Sequence, residues 1–203
     1  MSFKKLNPPI KEALLNNTIE SPTPFQKLVL PKIKSGVSLF GIGKKGCGKT
    51  TALIIAAMQK LNSEAFEDAP RALILVENKA TALELKDAFL EYTYNTDLRV
   101  YPAYDEHSID AQKDEIYYGQ DIIIATPKRL IKLFLLNAIN VTQLKLFIIE
   151  DAEFAVKNIF YNDVIRIPES VGKCQYVVFA EAMTAKLERF QDTFMYNSQI
   201  VKV

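Results

Sequence analysis

The octapeptide Gly43–Thr50, GKKGCGKT, constrains the fold of this 203-residue chain more than any other segment. It fits G-x-x-x-x-G-K-[S/T], a pattern that works only where a strand leads in and a helix leads out. Both are readable: Ser38–Gly43 is a short apolar run, and helical spacing holds from Lys49 to Leu61. In such a loop Gly43, Gly46 and Gly48 allow backbone conformations that aim N–H groups at phosphate oxygens. The helix end adds its positive dipole. Lys49 reaches the β- and γ-phosphates as a point charge, and the Thr50 hydroxyl is a ligand for Mg²⁺. Lys44, Lys45, Cys47 and Thr51 complete the expected nucleotide-binding set. Cys47 is a small residue that fits the turn; the alternative is a thiol acidified by the helix end.

Around this loop strands and helices alternate. Ala72–Val76 (ALILV), Asp121–Ala125 (DIIIA), Leu146–Ile149 (LFII) and Tyr176–Ala180 (YVVFA) are unbroken apolar runs. A weaker strand begins at Arg99–Tyr101, and Ile200–Val203 closes the chain. Runs this short and β-branched read as strands buried on both faces. With helices between them, including Ala80–Tyr92, they predict an α/β fold: a parallel sheet of about seven strands with helices on both faces. Before the loop, Asn7–Leu15 reads as a helix opened by Pro8-Pro9. Glu20–Gln26, with two prolines, reads as extended loop. A helix through Leu28 and Ile33 ends at Gly36.

Composition sets limits. Hydrophobic residues make up 49% of the chain and charged residues 24%, enough apolar material for a buried core. A formal charge of +1 carries no bulk signature of a nucleic-acid binder, so any such contact is local. Cys47 and Cys174 are far apart and match no metal-ligand spacing. His107, the single histidine, sits in the acidic stretch Asp105–Asp114 and reads as a surface loop residue rather than a ligand. No apolar run approaches the roughly 20 residues that span a bilayer, and the N-terminus lacks the apolar core of a signal peptide. A cytoplasmic protein without membrane contact is expected.

Further segments occur in a telling order: PTPFQ (Pro22–Gln26), ALILVENKATALEL (Ala72–Leu85), DIIIATPKRL (Asp121–Leu130), LFIIEDAEF (Leu146–Phe154) and VVFAEAMTAKLERF (Val177–Phe190). From Phe3 to about Val203 this series resembles the first domain of DEAD-box RNA helicases. The matching family segments are PTPIQ, ALVLVPTRELA, IVVATPGRL, DEAD and SAT. The resemblance implies a RecA-like domain over residues 1–203, with residues 1–36 as a Q-motif-like region. It implies ATP with Mg²⁺ as cofactor and RNA as partner. Gln26 and Phe3 fall where the family reads and stacks on adenine. Lys79, Thr126, Lys128 and Arg129 fall where it meets RNA. Glu150 and Asp151 fall where it holds Mg²⁺ and polarises the attacking water.

The departures are systematic. DEAD becomes Glu150-Asp151-Ala152-Glu153, so Asp151 is one methylene shorter than the family's water-polarising acid. A misplacement of ~1 Å costs ~10²-fold in rate. SAT becomes Ala180-Glu181-Ala182, which removes both hydroxyls that bond the acids of DEAD. Lys79 replaces an arginine and cannot make its bidentate contact. Tyr101-Pro102-Ala103-Tyr104 stands near the place of the family's GG element. No HRxGR-like arginine-finger segment occurs, so a second RecA domain or a protein partner would have to complete the cleft. The reading carried forward is an ATP·Mg- and RNA-binding helicase-like domain with weak or no hydrolysis and no unwinding alone. The alternative is a catalytically inactive pseudo-helicase acting as an RNA- or protein-binding module. A small-molecule P-loop kinase fits less well, since no arginine-rich lid is present and PTPFQ has no role there.

Overall fold

The computed structural model of the protein describes residues 3–203, apart from the side chain of Lys4. A 3₁₀ turn (Phe3–Lys5) leads to helices α1 (Pro8–Asn16) and α2 (Pro24–Lys34). Strand β1 (Leu39–Ile42), α3 (Lys49–Lys60), β2 (Ala72–Leu75), α4 (Lys79–Thr93) and β3 (Val100–Ala103) follow. The chain continues through α5 (Ile109–Tyr117), β4 (Ile122–Ala125), α6 (Pro127–Leu135), β5 (Leu146–Ile149) and α7 (Asn158–Arg166). It ends with β6 (Gln175–Ala180), α8 (Ala185–Glu188) and β7 (Gln199–Lys202).

The seven strands form one sheet in the order β3-β4-β2-β5-β6-β1-β7. Every neighbouring pair is parallel. Alternate residues of each strand feed opposite cores, as the pleat requires. On one face Ile122, Ile124, Leu146, Ile148 and Phe179 pack with residues of α1 to α4. On the other, Ile123, Ala125, Phe147, Ile149 and Val178 pack with residues of α6 and α7. Both faces are therefore dry, which is why these strands lack polar alternation. The expected parallel α/β sheet is present. Pro102, which lacks an N–H, lies in β3 at the sheet edge, where a missing donor is tolerated. Among the described residues no helix is long and apolar enough to cross a membrane.

One assignment needs correction. The loop expected through Gln26 ends earlier, because α2 starts at Pro24. Thr23 and Gln26 form a reciprocal capping box, and Pro24 occupies a first-turn position whose missing N–H costs nothing. His107 is an exposed loop residue, as expected; Ser108, which accepts from Ala111 N at 3.5 Å, then starts α5. Only Gln112 and Ile116 of that helix are buried, too few to show a period. Helices α6, α7 and α8 were not assigned from the sequence.

At the N-terminal ends of the strands, away from Gly43–Thr50, a buried ion cluster ties β2, β3 and β4 together. Asp121 is fully buried. Its carboxylate accepts from Arg71 Nη2 at 2.5 Å, Phe66 N at 3.1 Å, Arg99 N at 3.1 Å and Arg99 Nε at 2.9 Å. Burial pushes this carboxyl up, but the bonds from Arg99 and Arg71 outweigh it and hold it below the usual range. The stability it contributes is thus present at neutral pH and lost as pH falls through its native pKa. Asp121→Ala leaves a buried arginine charge without a partner and should cost about 3–5 kcal/mol in urea unfolding at pH 7. The gap between mutant and wild type should narrow on acidification below about pH 4. A cost near zero at pH 7 would contradict this account.

Candidate nucleotide site

Parallel strands bring their C-terminal ends to one edge, where ligand groups gather in open α/β sheets. Here that edge carries Gly43–Gly48 after β1, Glu150–Glu153 after β5, and Glu181–Thr184 after β6. Glu77 and Asn78 after β2, Tyr104–Ser108 after β3, and Thr126 after β4 complete it. Gly46 and Gly48 have φ of 80° and 95°, in the left-handed region that favours glycine. At Gly48 a Cβ would also stand 2.6 Å from Gln26 Nε2, so a side chain there would displace the Gln26 amide as well as strain the backbone.

Five residues of the expected site come together. Thr50 Oγ1 donates to Glu150 Oε1 at 2.8 Å. Lys49 Nζ donates to Gly43 O at 3.0 Å and lies 3.5 Å from Asp151 Oδ1. Asp151 has φ of 45°, a left-handed conformation that Asp tolerates better than most residues. In this conformation it pairs with Lys49 while its side chain remains largely exposed. Glu150 is only 6% exposed. Burial pushes its carboxyl up to about 7, with Asp151 adding to the shift, while the Thr50 bond and the Lys49 charge oppose it. The threonine hydroxyl and carboxylate form a hard-oxygen donor pair beside a lysine, a set that fits Mg²⁺ next to phosphate.

The rest of the loop is braced from α2. Thr23 Oγ1 donates to Cys47 O at 2.8 Å, and Gln26 Nε2 donates to Gly48 O at 3.2 Å. Gln26 Oε1 accepts from Thr23 N at 3.0 Å. Gln26 is buried, and one amide proton and one lone pair remain beyond these bonds. Thr23 was missed as a site residue, although its T-x-x-Q spacing is the capping-box signature. Phe3 is half-buried and packs against the core beneath α1 to α4. Cys47 is half-buried against the same core, while Lys44 and Lys45 are exposed. Thr51 is half-buried beside Tyr92 of α4.

The residues expected to meet RNA divide in two. Lys79 starts α4 with its ammonium 5.2 Å from the centroid of the Tyr104 ring, and Lys128 is exposed in the first turn of α6. Thr126 and Arg129 are buried. Arg129 Nη2 donates to Asp105 O at 2.7 Å and His107 O at 3.0 Å. Through Nη2 Arg129 holds the loop after β3, while its Nε and Nη1 have no hydrogen-bond partner.

A DEAD/DEAH box helicase family model matches residues 23–190. The chain belongs to this family. It is 27% identical, over its whole length, to the ATP-dependent RNA helicase DeaD of Buchnera aphidicola subsp. Schizaphis graminum. It is 26% identical over 98% of its length to DeaD of Escherichia coli K12. It covers 34% and 32% of those proteins, so the chain spans about a third of the curated relatives it matches. In fold it is similar to a DEAD box protein from Methanococcus jannaschii, with a TM-score of 0.92 at 22% identity. That match covers 100% of this chain and 56% of the other. It is also similar to the yeast DEAD-box splicing factor Prp28, at 0.87 and 20% identity, covering 99% and 50%. The sheet and helices are thus the RecA-like domain of DEAD-box proteins.

In this DEAD-box domain the EDAE and AEA segments are joined by a different bond from the one their side chains suggest. Glu181 N donates to Glu153 Oε1 at 2.6 Å, and Ala152 N donates to Phe179 O at 2.8 Å. Where Ala180 and Ala182 offer no hydroxyl, a backbone donor meets the last acid of EDAE. The sequence carries no signal for this bond, because a backbone N–H has no residue type.

The Glu150 shift has a testable consequence for stability. The unfolded chain releases this proton near 4.5 and the folded chain near 7. Stability is fully present below pH 4.5, declines between 4.5 and 7, and carries the whole cost above 7. Glu150→Gln keeps an acceptor for Thr50 and removes the charge. At pH 8 it should be the more stable protein by up to about 3 kcal/mol, and the gain should vanish by about pH 4.5. Equal urea midpoints at pH 8 would count against a buried, unneutralised Glu150.

Proposed function

We propose that this domain binds ATP with Mg²⁺ at Gly43–Thr50 and single-stranded RNA along the neighbouring strand ends, and that it hydrolyses ATP slowly when alone. The observation that carries the reading is the Thr50–Glu150 bond beside Lys49, which pairs at once with Gly43 O and Asp151. Lys49 would exchange those partners for the β- and γ-phosphates. Thr50 and Glu150 would hold Mg²⁺, which supplies charge neutralisation between the phosphates. The remaining proton and lone pair of the Gln26 amide are the groups left to read adenine, and Phe3 is the aromatic nearest that role in sequence.

Slow turnover follows from this chain's own residues. Asp151 is short for orienting water and is engaged with Lys49. The 203 residues contain no arginine-finger segment, and such a finger is worth ~10³ to 10⁵ in rate in related enzymes. A protein partner or a second RecA domain would supply it. A second reading, a non-catalytic module that binds RNA or protein, is favoured by the same Asp151 and by the missing hydroxyls at Ala180 and Ala182.

Titration calorimetry tests nucleotide binding. Lys49→Ala removes a charged hydrogen bond to phosphate and should weaken Mg·ATP about 10- to 100-fold. ATP should bind more tightly than GTP. Equal affinities for wild type and Lys49→Ala would remove the phosphate-loop assignment. The purified 203-residue chain should hydrolyse ATP near background, with little stimulation by RNA, and should not separate duplex RNA. Unwinding that Lys49→Ala abolishes would show instead that the chain assembles a working cleft by itself.

A further inference from the structure

The loop Tyr104–Ser108 joins β3 to α5 and meets the first turn of α6. Asp105 turns its carboxylate onto that helix. Oδ2 accepts from Thr126 Oγ1 at 3.2 Å. Oδ1 stands 3.8 Å from Arg129 Nε and 3.9 Å from Lys132 Nζ. A hydroxyl, a guanidinium and an ammonium, the groups that suit a phosphate, thus converge on an anion that the chain itself provides. Asp105 is the more accessible partner of Arg129: its side chain is 30% exposed, against 4% for that of Arg129.

Two details mark the carboxylate as an imperfect partner for these groups. Thr126 is the N-cap of α6, yet its side chain makes no capping bond; its hydroxyl donates to Asp105 instead. Asp105 Oδ1, Arg129 Nε and Arg129 Nη1 are buried without hydrogen-bond partners. Charge is compensated there while donors and acceptor are left unmatched, a costly state for buried groups. The loop does not depend on the carboxylate for its path. Arg129 Nη2 holds the carbonyls of Asp105 and His107, and Gln112 Nε2 donates to Tyr104 O at 3.0 Å. Beside it lie Lys79, over the Tyr104 ring, and exposed Lys128.

We propose that Asp105 is an internal stand-in for an RNA backbone phosphate and sets the RNA affinity of this edge, an inference that rests on the RNA-binding reading above. A phosphate approaching the first turn of α6 meets a like charge already seated on Thr126 and next to Arg129. Asp105→Asn keeps an acceptor for Thr126, removes that charge, and leaves Arg129 to be neutralised by the incoming strand.

The test is fluorescence-anisotropy binding of labelled oligouridylate to the full chain across a salt series. Asp105→Asn should bind about tenfold more tightly at low salt, with a salt slope steeper by about one phosphate. Asp105→Ser should show the same gain, which guards against an effect peculiar to the amide. Asp110→Asn, the same charge change at a side chain 82% exposed on α5, should not. Lys79→Ala with Lys128→Ala should weaken binding in both wild-type and Asp105→Asn backgrounds. If the lysine pair weakens binding but Asp105→Asn and Asp105→Ser match wild type, the inference fails and the RNA reading survives. An equal gain from Asp110→Asn overturns the inference as a mere effect of net charge. No binding by any variant overturns both. A gain at Asp105 that ignores the lysine pair supports the role of Asp105 and removes those lysines from the RNA path.

Discussion

The bond between Thr50 and Glu150 joins the two halves of the nucleotide site, and the rest of the edge is arranged around it. Thr50 stands at the start of α3 and Glu150 at the end of β5, with β6 lying between β5 and β1 in the sheet. Only a sheet whose register is fixed on both faces can hold those ends within 2.8 Å. The dry packing of both faces supplies that register, and the Asp121 cluster ties the opposite ends of β2, β3 and β4. The glycine conformations of the loop and its braces from Thr23 and Gln26 then aim α3 at the acid.

The price of this arrangement is a carboxyl out of water. Glu150 has a threonine hydroxyl and a lysine charge nearby, and they do not offset its burial. A site built this way favours a cation at the acid. The same pattern recurs at the other end of the edge, where Arg129 is buried with donors unmatched. Both imperfect sites lie at strand ends, where a ligand's charge can complete what the protein leaves undone. In the Asp121 cluster, at the opposite strand ends, both carboxylate oxygens accept bonds although Arg71 Nε has no partner, and its role is structural.

Much of this was legible in the sequence. A strand buried on two faces must be apolar at every position, so ALIL, IIIA and LFII announce themselves. A phosphate loop needs glycine where φ is positive, so GKKGCGKT does too. The start of α2 was half legible: Thr23 and Gln26 carry the capping-box spacing, but the flanking prolines suggested a loop. Other features depended on distant partners. That Arg129 also holds the Asp105 and His107 carbonyls, more than 20 residues earlier, has no sign in the local sequence. The Glu181 N–H on Glu153, a bond between the segments that needs no hydroxyl at Ala180 or Ala182, has no residue type to announce it.

The central claim is that Lys49, Thr50 and Glu150 form one nucleotide and metal site. A crystal structure of the chain with Mg²⁺ and a non-hydrolysable ATP analogue tests it most directly. The account predicts the metal between the Thr50 hydroxyl and the Glu150 carboxylate, with the Lys49 ammonium moved from Asp151 and Gly43 O onto the terminal phosphates. Triphosphate density elsewhere on the sheet edge, with Lys49 still paired to Asp151, would contradict it.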